Sequence, residues 1–246
     1  MKKRSFLISL LCICILAGCG KSEVKREEVY DSEQFLKKAD ALADKKEYEE
    51  ARKILTEVKN RDMTKKYAPI AQLKIADTYI KDGDYDLGIA EYQRFLEHYP
   101  TDTYASYAQY QIAMAYYVQI ESPDRGAGTA KRALAEFLRL KELYPRNPYR
   151  EFAEMRIEKC KTIIADGELM IGQFYYNKDS YAAAVKRFEG LLKEYPDYKR
   201  GDETLFLIGK SYLELKNPEK ANEAFTRLIE KFPSSSFAAN ARKLIR

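Results

Sequence analysis

Histidine is almost missing from this 246-residue chain: His98, just before Tyr99-Pro100, is the only one. A histidine-based metal site or a nucleophile–histidine pair within the chain is thereby excluded. No apolar run is long enough to cross a bilayer. The 13 residues from Phe6 to Gly18 follow Lys2, Lys3 and Arg4, and are too short and wrongly flanked for a span. Residues 1–18 read as an export signal. Cysteine is scarce as well: Cys12 and Cys14 leave with the signal, and Cys19 and Cys160 make no disulfide framework. Nor does one sign of charge dominate. Lys plus Arg 43 stand against Asp plus Glu 38, and loss of Lys2, Lys3 and Arg4 lowers the formal charge from +5 to +2. The pI near 8.8 therefore overstates basicity, and no nucleic-acid footprint is expected. What is present is 46% hydrophobic and 33% charged residues, enough to bury a core.

The cut point Leu16-Ala17-Gly18-Cys19 resembles the lipobox of bacterial lipoproteins. In that reading Cys19 becomes the first mature residue and carries acyl chains. Several chains on one residue bury enough methylenes for stable attachment. Gly20 in place of an aspartate favours the outer membrane. Residues 19–29 are polar and charged beyond the cysteine, and read as a lipidated tether.

Beyond the tether the chain repeats itself. An apolar residue, a small residue and a tyrosine three positions on recur as Ile75-Ala76 with Tyr79, Ile112-Ala113 with Tyr116, Ile171-Gly172 with Tyr175 and Ile208-Gly209 with Tyr212. A second small residue follows at Gly88, Ala133, Ala184 and Ala221. After it comes an aromatic (Tyr92, Phe137, Phe188, Phe225), then an aromatic-Pro pair: Tyr99-Pro100, Tyr144-Pro145, Tyr195-Pro196 and Phe232-Pro233. A weaker first copy pairs Ala39 with Ala51 and ends at Asp62-Met63. Small residues let two helices approach, aromatics fill the space beside them, and proline ends the second helix. The pattern matches the tetratricopeptide repeat of about 34 residues.

The expected fold is all-α: a superhelical solenoid of about five tetratricopeptide-like helix pairs with a C-terminal capping helix. Residues 30–148 would hold repeats 1–3, and residues 149–246 repeats 4–5 with the cap. The third repeat carries extra residues around Ser122-Pro123-Asp124-Arg125-Gly126, and the stretch Arg125 to Lys131 reads as an inter-helix loop. From Tyr149 to Tyr176 the only strong breaker is Gly167, so one long helix is expected there. Cys160 falls in an apolar stripe of that helix and reads as core. Carboxylates such as Glu47, Glu49 and Glu50, near Arg52 and Lys53, read as solvated faces. No cofactor, metal site or catalytic constellation emerges, and an enzyme is not expected.

The stretch Glu168-Leu169-Met170-Ile171-Gly172-Gln173-Phe174-Tyr175, continuing to Tyr181-Ala182-Ala183-Ala184-Val185-Lys186-Arg187-Phe188, is similar to the fourth repeat of the BamD, or competence lipoprotein, family of outer-membrane β-barrel assembly lipoproteins. The resemblance covers essentially the whole mature chain, although the segment Gln119 to Thr129 is shorter than in that family. It implies an adaptor at the periplasmic face of the outer membrane. Its C-terminal repeats would dock on the membrane-proximal POTRA domain of the barrel subunit BamA. Its N-terminal groove would receive the C-terminal signal of unfolded barrel proteins, and other assembly lipoproteins are further candidate partners. Arg187 is then the docking candidate, because a guanidinium binds a carboxylate bidentately and is weakly hydrated. The alternatives are one more exposed charge on a second helix, or an internal pair with Glu168.

For the groove, the side chains three before, one after and four after the small residue of each first helix are expected on the concave face. These are Leu36, Asp40 and Ala43, then Leu73, Asp77 and Ile80, then Tyr110, Met114 and Tyr117. Such a surface suits an extended segment ending in an aromatic residue. A second reading of the same fold is a periplasmic coordinator resembling the TolA-binding tetratricopeptide proteins or serving peptidoglycan synthesis. Those proteins usually begin with a coiled coil, and there is no room for one between Cys19 and Tyr30.

Overall fold

The computed structural model describes residues 30–245. The signal, Cys19 and the tether lie outside the described residues. Eleven helices and no strand occur among the described residues. They form five pairs: α1 (Ser32–Asp44) with α2 (Tyr48–Arg61), α3 (Ala68–Asp82) with α4 (Tyr85–His98), α5 (Ala105–Val118) with α6 (Pro123–Leu143), α7 (Arg150–Asn177) with α8 (Tyr181–Glu194), and α9 (Gly201–Glu214) with α10 (Pro218–Lys231). A short α11 (Ser236–Ala241) follows. The all-α repeat solenoid expected from the spacing is thus the observed fold.

Helix ends follow from the aromatic-Pro pairs. Tyr99, Tyr144, Tyr195 and Phe232 each cap a second helix, donating their N–H to the carbonyl four residues earlier at 2.8–2.9 Å. The next residue is proline, which has no N–H to donate and pushes its predecessor out of the helical region. The first pair lacks this device and uses Asp62 instead. Its carboxylate accepts from the Thr64 hydroxyl (2.6 Å) and N–H (3.1 Å) and from the N–H groups of Tyr67 and Ala68, closing the loop onto the start of α3. Partial burial opposes the charge, but the hydrogen bonds from Thr64, Ala68 and Tyr67 outweigh it and hold the carboxyl below its ordinary value. Within pairs one, two, four and five the chain turns through a left-handed residue: Lys46, Gly83, Asp179 and Lys216.

The third pair departs from this scheme, and from the loop expected at Arg125–Lys131, which is helical. Pro123 occupies the first turn of α6, where its fixed φ is preorganised for helix. The Ser122 carbonyl accepts from the N–H groups of Arg125 (3.1 Å) and Gly126 (2.6 Å). Gly126 is buried under Ile120, whose side chain would lie 3.0 Å from a Cβ. Gly167 of α7 admits the Pro123 carbonyl, which would stand 2.9 Å from a Cβ. Tertiary packing therefore overrides two glycines of low helix propensity. Gly128 is exposed, with open space around it. Gly128→Ala is accordingly expected to stabilise the fold by about 1 kcal/mol in urea titrations; a loss would contradict a helix at that position.

The small residues admit aromatic rings. A Cβ on Gly172 would stand 2.2 Å from the Phe188 ring, and one on Gly209 2.3 Å from the Phe225 ring. Both phenylalanines are fully buried. The long α7 belongs to two cores: Ala153, Ile157 and Cys160 pack with Phe137 and Leu140 of α6, whereas Ala165 and Leu169 pack with α8 and α9. Cys160 is core, as expected, and burial pushes its thiol up to about 11. His98 is exposed at the end of α4, its Nδ1 2.7 Å from the Arg94 carbonyl. Lys53 and Glu49 form the solvated pair expected of that face. Arg52 does not. It reaches the next repeat, meeting Asp82 at 2.9 Å and lying 4.3 Å over the Tyr79 ring.

Candidate docking site

Arg187 and Glu168 meet in a register that recurs along the chain. The residue four before the first small residue of a repeat faces the residue three after the second. In the second pair Gln72 donates to the Glu91 carboxylate, and in the third Gln109 donates to Glu136 at 2.7 Å. In the fourth pair Arg187 Nη1 donates to Glu168 Oε2 at 3.2 Å, while Lys131 Nζ lies 3.7 Å from Oε1. The fifth pair has buried Leu205 and Ala224 in these places. The Arg187–Glu168 pair is thus a version of a tie between first and second helices. Two features set it apart. The acid stands on the first helix and the base on the second, and the Arg187 side chain is 46% exposed. By contrast the side chain of Glu91, the counterpart of Arg187 in the second pair, is 13% exposed. A pair so exposed contributes about 0–1 kcal/mol to stability, leaving Arg187 free to exchange its partner. Around it an open groove is lined by Tyr175, Ala183, Lys186, Gly190 and Glu194.

The N-terminal residues expected to line a groove divide into two sets. Leu36 and Leu73 are 9% and 2% exposed and belong to the core, so they offer a ligand nothing; this corrects their placement on the concave face. The physical reason is that the position three before the small residue falls on the seam between repeats, as Leu73 does beside Tyr92, Phe95 and Ile112. The others are at least partly exposed but engaged. Asp40 pairs with Lys74 at 2.6 Å, linking α1 to α3. Asp77 accepts from the Tyr92 hydroxyl and, at 2.8 Å, from the Tyr107 hydroxyl of the next repeat. Ile80 packs beside the core of the second repeat. Tyr110 stacks on Tyr149 with ring centroids 4.5 Å apart. Met114 and Tyr117 pack beside the core around Phe137, and the Arg156 guanidinium sits 5.6 Å from the Tyr117 ring. The result is an aromatic wall with Asp77 fixed in it. Missing from the sequence reading were Lys131, the second cation on Glu168, and the exposure of Met170, Ile171 and Phe174, taken there only as helix positions.

The model of the YfiO family, described as outer membrane lipoprotein, matches residues 28–224. The chain belongs to this family. Among relatives, the outer membrane protein assembly factor BamD of Rickettsia prowazekii is 24% identical, over 100% of this chain and 98% of its own length. That of Pasteurella multocida is 27% identical over 86% of this chain and 84% of its own. Among solved structures the chain is similar to the TPR2AB-domain–pHSP90 complex of yeast Sti1, with 14% identity, a TM-score of 0.48, and coverage of 86% of this chain and 83% of that one. Membership of the YfiO family associates the chain with the outer membrane.

Proposed function

We propose that this chain is a lipid-anchored adaptor of outer-membrane β-barrel assembly. Cys19 carries the acyl chains and holds the repeats at the periplasmic face. The fourth repeat docks, through Arg187, on a carboxylate of the membrane-proximal POTRA domain of BamA. The aromatic wall of the second and third repeats, around Asp77, Tyr110 and Tyr117, receives the C-terminal signal of unfolded barrel proteins. The name assembly factor BamD, borne by relatives over nearly the full length, supports the role. The observation that carries the docking assignment is the half-exposed Arg187, held to Glu168 by one hydrogen bond in the place where the second repeat keeps the Glu91 side chain largely covered.

A single Arg187→Glu change places two acids together, so loss of docking by it alone is ambiguous. The double change Glu168→Gln with Arg187→Glu is cleaner, because it installs the Gln–Glu tie found in the second and third repeats while reversing the surface charge. It is expected to leave the thermal midpoint within a degree or two and to lower co-purification of BamA about tenfold or more. Unchanged co-purification would remove Arg187 from the interface.

A further inference from the structure

In the first helices after α1, the residue just before the small reference residue and the residue two after it fall on one stripe, and in α3, α5 and α9 that stripe meets the preceding repeat. In α3 these are Ile75 and Thr78, 4% and 3% exposed, with Ile75 packed toward Leu55 and Val58 of α2. In α5 they are Ile112 and Ala115, 1% and 2% exposed, against Tyr92 and Phe95 of α4. In α9 they are Ile208 and Ser211, 3% and 0% exposed, with Ile208 against Phe188 and Leu191 of α8. In α7 the same places hold Ile171 and Phe174, 38% and 57% exposed, with Met170 at 42% beside them. The cause is the length of α7. Its first half already takes the packing of the preceding repeat through Ala153, Ile157 and Cys160. Because α6 begins at Pro123, against Gly167, the last ten or so residues of α7 run past it.

Residue choice changes with the cover. Where a second helix of the chain lies on the stripe, its second place is small: Thr78, Ala115 or Ser211. In α7, where none does, it is phenylalanine; in the first helix α1 it is the exposed Ala41. A bare apolar patch of this kind marks a surface made for contact. Ile171 is three residues after Glu168 and four before Tyr175, so it shares a helix face with them and borders the Arg187 groove. On that border Lys131, Lys186 and Arg187 outnumber the carboxylates of Glu168 and Glu194, leaving a cationic rim.

We propose that Met170, Ile171 and Phe174 receive an amphipathic helix of a partner protein, acidic along the edge that meets Arg187 and Lys131, in the place where other repeats take a helix of their own chain. This rests on the docking reading of Arg187 and makes the patch the apolar centre of that interface.

The test uses the full lipoprotein in its membrane, with photo-reactive benzoylphenylalanine in place of Phe174, of Ala183 in the Arg187 groove, or of the remote exposed Met63. Positions 174 and 183 are expected to capture one and the same partner, position 174 on a helix bearing acidic residues, and position 63 not to. Phe174→Ser should lower recovery of that partner at least tenfold without moving the thermal midpoint, since the ring is already exposed. Capture at 183 alone, wild-type recovery with Phe174→Ser, or adducts of 174 with lipid, with a second copy of this chain or with a β-strand would overturn the helix-receiving patch and leave the Arg187 reading intact. Capture of a helix at 174 with no contact at 183 would overturn the docking reading of Arg187 instead.

Discussion

Shortening Phe188 to alanine is expected to cost about 3–5 kcal/mol of stability, the range for a buried aromatic whose surroundings do not collapse. The ring is fully buried and lies over Gly172, where any Cβ would stand 2.2 Å from it. Leu169, Ala184 and Leu191 close the same core, so the vacated space lies inside the helix pair and not at its edge. The glycine supplies an internal check. In the wild type Gly172→Ala forces the ring aside, and the strain opposes the gain of up to about 1 kcal/mol in helix propensity. In the Phe188→Ala background the added methyl enters the cavity, and the same change becomes stabilising. A double-mutant cycle in urea measures this coupling. Loss of less than about 1 kcal/mol for Phe188→Ala would contradict the packing described. Phe188 and Arg187 are neighbours with opposite environments, one fully buried and one half-exposed. Stability and docking are therefore expected to separate between them.

Alkaline pH is the second large lever. The Tyr92 hydroxyl, in a residue 1% exposed, donates to Asp77; the Tyr107 hydroxyl donates to the same carboxylate at 2.8 Å. The Tyr198 hydroxyl, in a residue 7% exposed, donates to Asp166. Burial first, and then the adjacent carboxylate, holds all three well above the ordinary tyrosine value. Below about pH 10 each hydroxyl is protonated in both folded and unfolded chains, and its contribution is fully present. Above it the unfolded chain releases protons that the folded chain keeps, so stability falls as pH rises. One group loses about 1.4 kcal/mol per pH unit, so the three together lose about 4 kcal/mol by about pH 11. That is a large share of a typical domain's roughly 5–15 kcal/mol. Melts between about pH 9 and 11, followed with tyrosinate absorbance, are expected to show these three groups ionising only with unfolding. Ionisation near pH 10 in a folded chain would contradict the Asp77 and Asp166 contacts.

The helix pairs were legible because their determinants are local. A small residue admits a ring, and an aromatic-Pro pair ends a helix; both act within one pair. The stretch Arg125–Lys131 was misread because its glycines are held helical by contacts a sequence does not display, between Pro123 and Gly167 and between Gly126 and Ile120. The groove positions were only half legible for a similar reason. Leu73 lies on a seam between repeats, and Asp77 is fixed by Tyr107, 30 residues away. The Arg187–Glu168 pair was readable as one of several alternatives. Its meaning became clear only beside Gln72–Glu91 and Gln109–Glu136, which show what the position does elsewhere. The signal at Phe174 was in the repeats all along, as a large ring in register with Thr78, Ala115 and Ser211, but exposure gave it significance.

The most direct test of the adaptor role is affinity purification of the tagged, full-length lipoprotein from detergent-solubilised envelopes, with mass spectrometry of what accompanies it. A barrel protein bearing POTRA domains, in near-equal amount, is the expected companion. Recovery instead of TolA-type or peptidoglycan-synthase partners, with no such barrel protein, would leave the repeat fold untouched and contradict the role proposed for Arg187 and the repeats around it.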